Sequence, residues 1–420
     1  MSSLVENGFP SEVRTRLSAG TAQVWIAPAP SDRPVAAEPL SEREMGDAAH
    51  FLERMRPLLR ASLGAQWPDG EPLSPLLASG LNSPLSMQIK ADHMLPLAGS
   101  VKFRGGVYEI LRYLEAVAEK HSLPRLPDDS LDLASSHTRA VLSKEQIVVA
   151  STGNLGYGIG VLARTFGLRA QIHMSAEAKA WKKDRLRHIG VEVIEHEGDY
   201  RAAGAAARAA AAESSAYFVD DERSRKLLIG YSLAAPELAL QLAQNGVAVS
   251  REKPLVVYLP CGVGGAPGGI TAGLKAIYGC NVFCVFVEPT QAPCMLAALA
   301  NTSKGIDIYK LGLTNQTVAD GLAVPEASPT ALAAIGNAVD AVVTVSDSAM
   351  LEWMRTAWRE ERVKLEPSAA ASLAAVAPFV EAAHRSKNIK FEPALATHVA
   401  WATGGSLMPE EEFALLLDDR

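Results

Sequence analysis

Cysteine is scarce in this chain: four thiols, Cys261, Cys280, Cys284 and Cys294, among 420 residues. None forms a Cys-x-x-Cys pair and none has histidines at zinc-like spacing, so no disulfide framework or structural metal is expected from the side-chain pattern. Cys284 lies in the apolar run NVFCVFVEP and reads as a small core residue. Long apolar stretches are missing as well. No segment holds eighteen consecutive apolar residues, and MSSLVENGFPSEVRTRLSAG at the N-terminus lacks an apolar run of signal-peptide length. Charge of one sign is missing too: 40 basic residues face 47 acidic ones, for a net charge of −7, without a long basic run. Neither nucleic acid nor a membrane is expected as a partner, and a reducing cytoplasm is the expected setting.

What is present is a pattern of alternating strands and helices. Hydrophobic residues make up 48% of the chain, ample for a large core, and the length suggests two or three domain-sized units. Short apolar runs predict strands at 146–151, 170–175, 191–197, 216–221, 255–260, 281–289, 340–346 and 394–403. Helical stretches such as EAKAWKKDRLRHIG and YRAAGAAARAAAAES lie between them. Mostly apolar strands alternating with helices predict an α/β fold, with parallel-rich twisted sheets covered by helices on both faces. Before residue 80 the reading is sparser: a helix over 42–63, and loops over 28–39 and 67–80. The polar stretch 124–138 reads as a surface excursion.

In such a fold, ligands gather at the C-terminal ends of strands. After QIVVA comes STGNLGYGIG, where Ser151, Thr152 and Asn154 offer hydroxyls and an amide at a helix start. That start suits an anion such as a carboxylate, and equally a plain helix cap. After LVVYLP comes CGVGGAPGG, five glycines in nine residues. A Rossmann fingerprint fails because the sixth position from Gly262 is Pro267, and no Gly-Lys-Ser/Thr follows to make a P-loop. A phosphate nest survives, beside the alternative of a structural turn. After ALATHVAWA comes Thr403 with two glycines, by itself ordinary turn chemistry. Finally GSVKFRGG (99–106) sets Lys102 beside a second cation, Arg104, and before two glycines. Most lysines are solvated surface groups. An amine, a phosphate nest, a carboxylate-binding helix start and a hydroxyl are nevertheless what pyridoxal 5′-phosphate (PLP) requires.

The motifs SVKFRGGVYE, STGNLGYGIG, SAEAKAWKKDRLR, FVDDERSRKLLIGYSLA, YLPCGVGGAPGG, VEPTQAPCM, LEPSAA and WATGGSLMPEEE resemble the D-serine dehydratase (D-serine ammonia-lyase) family. This family belongs to the tryptophan-synthase-β-like PLP enzymes of fold type II. The resemblance runs from about residue 85 to the C-terminus. It implies a large PLP-binding domain from 1–144 and 229–420, with 1–80 an N-terminal extension, and a small α/β domain from 145–228. The active site would lie in the cleft between them.

By position, Lys102 would carry the cofactor as a Schiff base and act at the substrate α-carbon. Asn154 would bond the phenolate oxygen, Gly262, Val263, Gly264, Gly265 and Ala266 the phosphate, and Thr403 the pyridine nitrogen. Ser151 and Thr152 would hold the substrate carboxylate, with Ser100 and Asp220 as further substrate contacts. The implied reaction is β-elimination of D-serine to pyruvate and ammonia, extending to D-threonine and 2-oxobutanoate. The alternative is a related PLP lyase or racemase acting on another β-substituted amino acid. A monovalent cation, K+ or Na+, and a monomeric or homodimeric state are also implied.

The sequence departs from the family pattern at several places. Phe103 follows the lysine where a small residue is usual, Ala266 replaces a glycine, Ser406 replaces another, and His93 stands one place early. A large aromatic beside a glycine-rich turn normally buries itself, so Phe103 is expected in the core; otherwise it reshapes the substrate pocket. Arg104 is expected to support the fold through a carboxylate.

Overall fold

The computed structural model describes residues 11–28, 36–67, 69–151, 153–300 and 307–418, with residues 11 and 12 described by backbone alone. Eleven strands occur in this part of the chain: β1 (Val24–Ile26), β2 (Leu76–Ser79), β3 (Ser86–Lys90), β4 (Gln146–Ala150), β5 (Arg169–Ser175), β6 (Glu192–His196), β7 (Tyr217–Val219), β8 (Leu255–Pro260), β9 (Val282–Pro289), β10 (Ala341–Val345) and β11 (Thr397–Trp401). They form two sheets. The larger runs β1-β10-β9-β8-β11-β3-β2, and the smaller runs β6-β5-β4-β7.

All pairs of the small sheet are parallel. In the large sheet the five central strands are parallel, and antiparallel β1 and β2 close the two edges. Every residue of β8 and β10 is buried, as expected of parallel strands covered on both faces. Each of the eight runs read from the sequence overlaps one of these strands. The three others were not legible. β1 has three half-buried residues, β2 lies inside the stretch read as a loop over 67–80, and β3 joins it at the sheet edge.

Before residue 80 the chain joins the main core. The helix Glu42–Leu63 starts at Ser41, whose hydroxyl and Glu44 cap each other reciprocally, and it buries Phe51, Leu52, Met55, Leu58 and Leu59. Of the loop read over 28–39, residues 29–35 lie outside the described residues. The stretch 124–138 is turn-rich, and Ser135 at its end caps the helix Ser136–Leu142. No helix of the described residues is long and apolar enough to cross a membrane.

Candidate active site

The two sheets bring their strand ends to one cleft. It encloses about 680 Å³ of empty space, its open mouth included, within the roughly 300–1,000 Å³ usual for small-molecule sites. From the small sheet come Ser151 and Asn154 after β4 and Asp221 after β7; from the large sheet come the glycine loop after β8 and Thr403 after β11.

Lys102 opens the helix Lys102–Lys120 at the floor of this cleft. The turn before it is pinned to the exit of β11: Ser100 bridges Gly404, and the Val101 N–H donates to the Thr403 carbonyl at 2.9 Å. Behind it, Gly105 lets Tyr231 pack against the helix, since a Cβ there would lie 2.6 Å from the tyrosine Cζ. The Lys102 ammonium pairs with Asp221, Nζ to Oδ2, at 2.8 Å. The other oxygen, Asp221 Oδ1, is buried without a hydrogen-bond partner.

Of the neighbouring pair, Asp221 rather than Asp220 lines the cleft, a correction of one residue. Asp220 does not line the cleft. Its carboxylate accepts from Arg208 at 2.9 Å and from the Glu222 N–H at 3.1 Å, which turns it toward the helix Tyr200–Ser214.

Ser151 lines the cleft and also caps the following helix, its oxygen accepting from the Gly153 and Gly156 N–H groups at 2.9 Å each. The cap reading and the site reading therefore coexist, because a hydroxyl that accepts still has a proton to donate. Thr152 lies outside the described residues. Asn154 Nδ2 donates to Glu366 Oε1 at 2.9 Å across the cleft. Burial pushes the Glu366 carboxyl up, against the pull of the Lys182 charge.

The glycine loop passes into the helix Gly265–Tyr278, which starts without a side-chain cap, so its first N–H groups face the cleft unclaimed by the helix. Gly264 holds φ at +101°, and a Cβ there would sit 2.3 Å from Met295 Cε. Ala266 sits inside the helix with ordinary backbone angles, so its methyl costs the loop nothing. Opposite, Ser368 Oγ is buried without a partner. A left-handed glycine, open helix N–H groups and an unpaired buried hydroxyl form a cradle for an anionic group such as a phosphate.

A family profile described as "Pyridoxal-phosphate dependent enzyme" matches residues 70–391. The chain belongs to the pyridoxal-phosphate dependent enzymes. It is 41% identical over 419 residues to a probable D-serine dehydratase of Rhizobium leguminosarum, covering 95% of both chains. It is 45% identical to a protein of the same name from Sinorhizobium medicae, over 78% of this chain and 76% of that one. Among solved structures, diaminopropionate ammonia lyase from Escherichia coli in complex with D-serine superposes with a TM-score of 0.72 at 20% identity, covering 94% and 97% of the two chains. The processed form of threonine deaminase isoform 2 from Solanum lycopersicum gives 0.62 at 19% identity, covering 93% and 98%. These two likenesses establish the fold as that of the PLP lyases.

In this PLP enzyme the departures other than Ala266, which lines the cleft, are accommodated outside it. Phe103 is fully buried, its ring 5.3 Å from that of Trp67 and against Gly158, and it does not line the pocket. The Ser406 hydroxyl donates to the His93 carbonyl, so two departures meet and one supports the other. Arg104 points away from Lys102 and binds Asp92 (2.8 and 2.7 Å) and Glu237 (2.7 Å), as a fold-supporting arginine should. Among the described residues no cluster of His, Cys, Asp or Glu is suited to a metal ion.

Four polar residues at or beside the cleft were not assigned from sequence: Asp221, Glu366, Ser368 and Lys182. Glu366 and Ser368 stood in the quoted motif LEPSAA, but only the fold carries that motif to within 2.9 Å of Asn154.

Proposed function

We propose that this enzyme eliminates the β-hydroxyl of D-serine, giving pyruvate and ammonia, and that D-threonine is turned into 2-oxobutanoate by the same route. The observation that carries the reading is the pairing of Lys102 with Asp221, an amine and an acid 2.8 Å apart on the floor of a cleft with an anion cradle. The D-serine dehydratase names of relatives at 41–45% identity support the substrate.

When bound to Lys102, pyridoxal phosphate supplies an electron sink that makes the substrate α-proton removable. The N–H groups of Gly262, Val263, Gly264, Gly265 and Ala266 hold its phosphate in this reading, with Ser368 beside them. Asn154, fixed by Glu366, donates to its phenolate oxygen, and Thr403 meets its ring nitrogen. Ser100 and Ser151 hold the substrate carboxylate. Lys102 Nζ would take the substrate α-proton. Asp221 receives that proton from Nζ and delivers it to the departing hydroxyl, which leaves as water. The released enamine tautomerises to an imine, and hydrolysis of that imine consumes one water in place of the one lost, so D-serine becomes pyruvate and ammonia with atoms balanced.

The domain division at 145–228 is part of the same reading, supported by the small sheet lying wholly between Gln146 and Val219. A monovalent cation held by backbone carbonyls near the glycine loop belongs to the same reading; the Gly262 carbonyl there accepts from the Cys261 and Cys294 thiols at 3.4 Å each.

A coupled assay for 2-oxo acids on D-serine, L-serine and D-threonine tests the proposal. Release from both D-amino acids, with L-serine far slower, supports it. Conversion of D-serine to L-serine without pyruvate would make the enzyme a racemase, and turnover confined to another β-substituted amino acid would replace the substrate. In Asp221→Asn, kcat on D-serine should fall roughly 10²- to 10⁴-fold while the cofactor stays bound.

A further inference from the structure

Beyond Gly153 and Asn154 lies a second, smaller hollow, lined by Gly153, Asn154, Tyr157, Trp181, Lys182 and Arg185. It encloses about 180 Å³ of empty space, its open side included. Three of these residues belong to the helix Ala180–His188, in the stretch SAEAKAWKKDRLR that the catalytic reading leaves unused.

The hollow is one-sided in its chemistry, since no carboxylate lines it. Lys182 reaches out of it to Asp320 at 2.6 Å, and its stem crosses Gly153 so closely that a Cβ there would lie 2.6 Å from Lys182 Cδ. Arg185 stays inside. Its guanidinium lies 3.4 Å from the centre of the Tyr157 ring, and Nη1 makes a long bond, 3.4 Å, to the Leu407 carbonyl. No carboxylate among the described residues forms an ion pair with it. Burial lowers the Arg185 pKa, with Tyr157 and the more distant Glu366 opposing.

Two donors on residues that line the hollow are unsatisfied. Arg185 Nη2 and Trp181 Nε1 are both buried without a hydrogen-bond partner. Positions 181 and 185 are four apart on one helix, so both side chains lie on one face. A mostly buried guanidinium without a counter-charge, beside a second orphan N–H, is expensive unless something supplies acceptor oxygens and negative charge.

We propose that this hollow is a binding subsite for a small oxyanion, a monocarboxylate or an inorganic oxyanion, held between Arg185 Nη2 and the Trp181 indole N–H. Both ligands present what the two donors lack. Lys182, although spent on Asp320, adds positive potential at short range. The inference is independent of which amino acid the neighbouring cleft accepts.

Calorimetric titration of the PLP-loaded protein with sodium acetate and with sodium sulfate, at fixed ionic strength, tests it. One saturable site is expected, about tenfold or more weaker in Arg185→Gln, because a charge-assisted hydrogen bond is lost. Trp181→Phe should weaken it by less, and Arg187→Gln, exposed on the same helix, should leave it unchanged. Saturation by acetate with sulfate competing would assign a shared oxyanion site; saturation by sulfate alone would assign the inorganic class. No saturable heat with either anion would mean that water alone fills the hollow, and would overturn the proposal. Binding that survives both Arg185→Gln and Trp181→Phe would overturn it as well. If Arg185→Gln fails to fold, Trp181→Phe, which removes one N–H and keeps an aromatic ring, decides the matter.

Discussion

At the scale of single residues, the molecule spends much of its buried polarity on holding Lys102 still. Two residues beyond it, Arg104 enters a network with Asp92, Glu237, Ser74 and the Trp401 indole, and Lys90 joins through Glu237 at 2.5 Å. Burial alone would raise the Asp92 carboxyl, but the charge and hydrogen bonds of Arg104 hold it below the usual range. Burial, with repulsion from Arg104, pulls Lys90 down to about 8. Breaking such a set from one side leaves a charge stranded. Asp92→Asn is therefore expected to cost about 3–5 kcal/mol in urea unfolding; a loss below about 1 kcal/mol would show that the network is relaxed or hydrated. The role of Arg104 was legible in the sequence as a cation in need of a carboxylate. Its partners were not, because Asp92 and Glu237 lie 12 and 133 positions away and nothing local links them. Phe103 was legible for the opposite reason: a large ring beside a tight turn has few places to go except the core.

At the scale of elements, strand ends decide where the chemistry sits. The loops after β4, β8 and β11 could be read in advance because each follows an apolar run and carries glycines, joined by hydroxyl residues after β4 and β11. β1, β2 and β3 could not: β1 has only three half-buried residues, and β2 lies inside and β3 follows WPDGEPLSPLLASG, whose prolines and glycines read as a loop. Asp221 was missed by one position: the pair Asp220-Asp221 follows β7, and only the turn there decides which carboxylate faces Lys102. Glu366 escaped because its partner Asn154 lies 212 positions away. The glycine loop gives the element-scale prediction. Gly264→Ala must place a methyl on Met295 and hold a left-handed backbone, which favours glycine by roughly 1 kcal/mol or more. The variant is expected to lose PLP affinity by about tenfold or more, read by equilibrium dialysis, while its fold survives. Undiminished affinity would place the phosphate elsewhere.

At the scale of the whole molecule, two sheets meet over one cleft, and ion pairs such as Lys182–Asp320 and hydrogen bonds such as Asn154–Glu366 cross it. The core around it carries histidines that resist protonation. Burial lowers His93 from 6.5 to about 4, and His173 and His398 move in the same direction for the same reason. At these three sites the folded state binds fewer protons than the unfolded chain, whereas Glu288, which burial raises to about 8, binds more. The stability contributed by the neutral His93 is fully present above pH 6.5 and is lost as pH falls toward 4. The His93 contribution amounts to about 3 kcal/mol. From pH 7 to 4 the urea midpoint of the wild type should lose more than that of His93→Gln; equal slopes would remove His93 from the explanation. The most direct measurement concerns the lysine on which the cleft converges. Borohydride reduction of the PLP-loaded protein, followed by peptide mass spectrometry, should find the phosphopyridoxyl group on Lys102, with none in Lys102→Ala. A modified lysine elsewhere, or no modified lysine, would contradict the assignment.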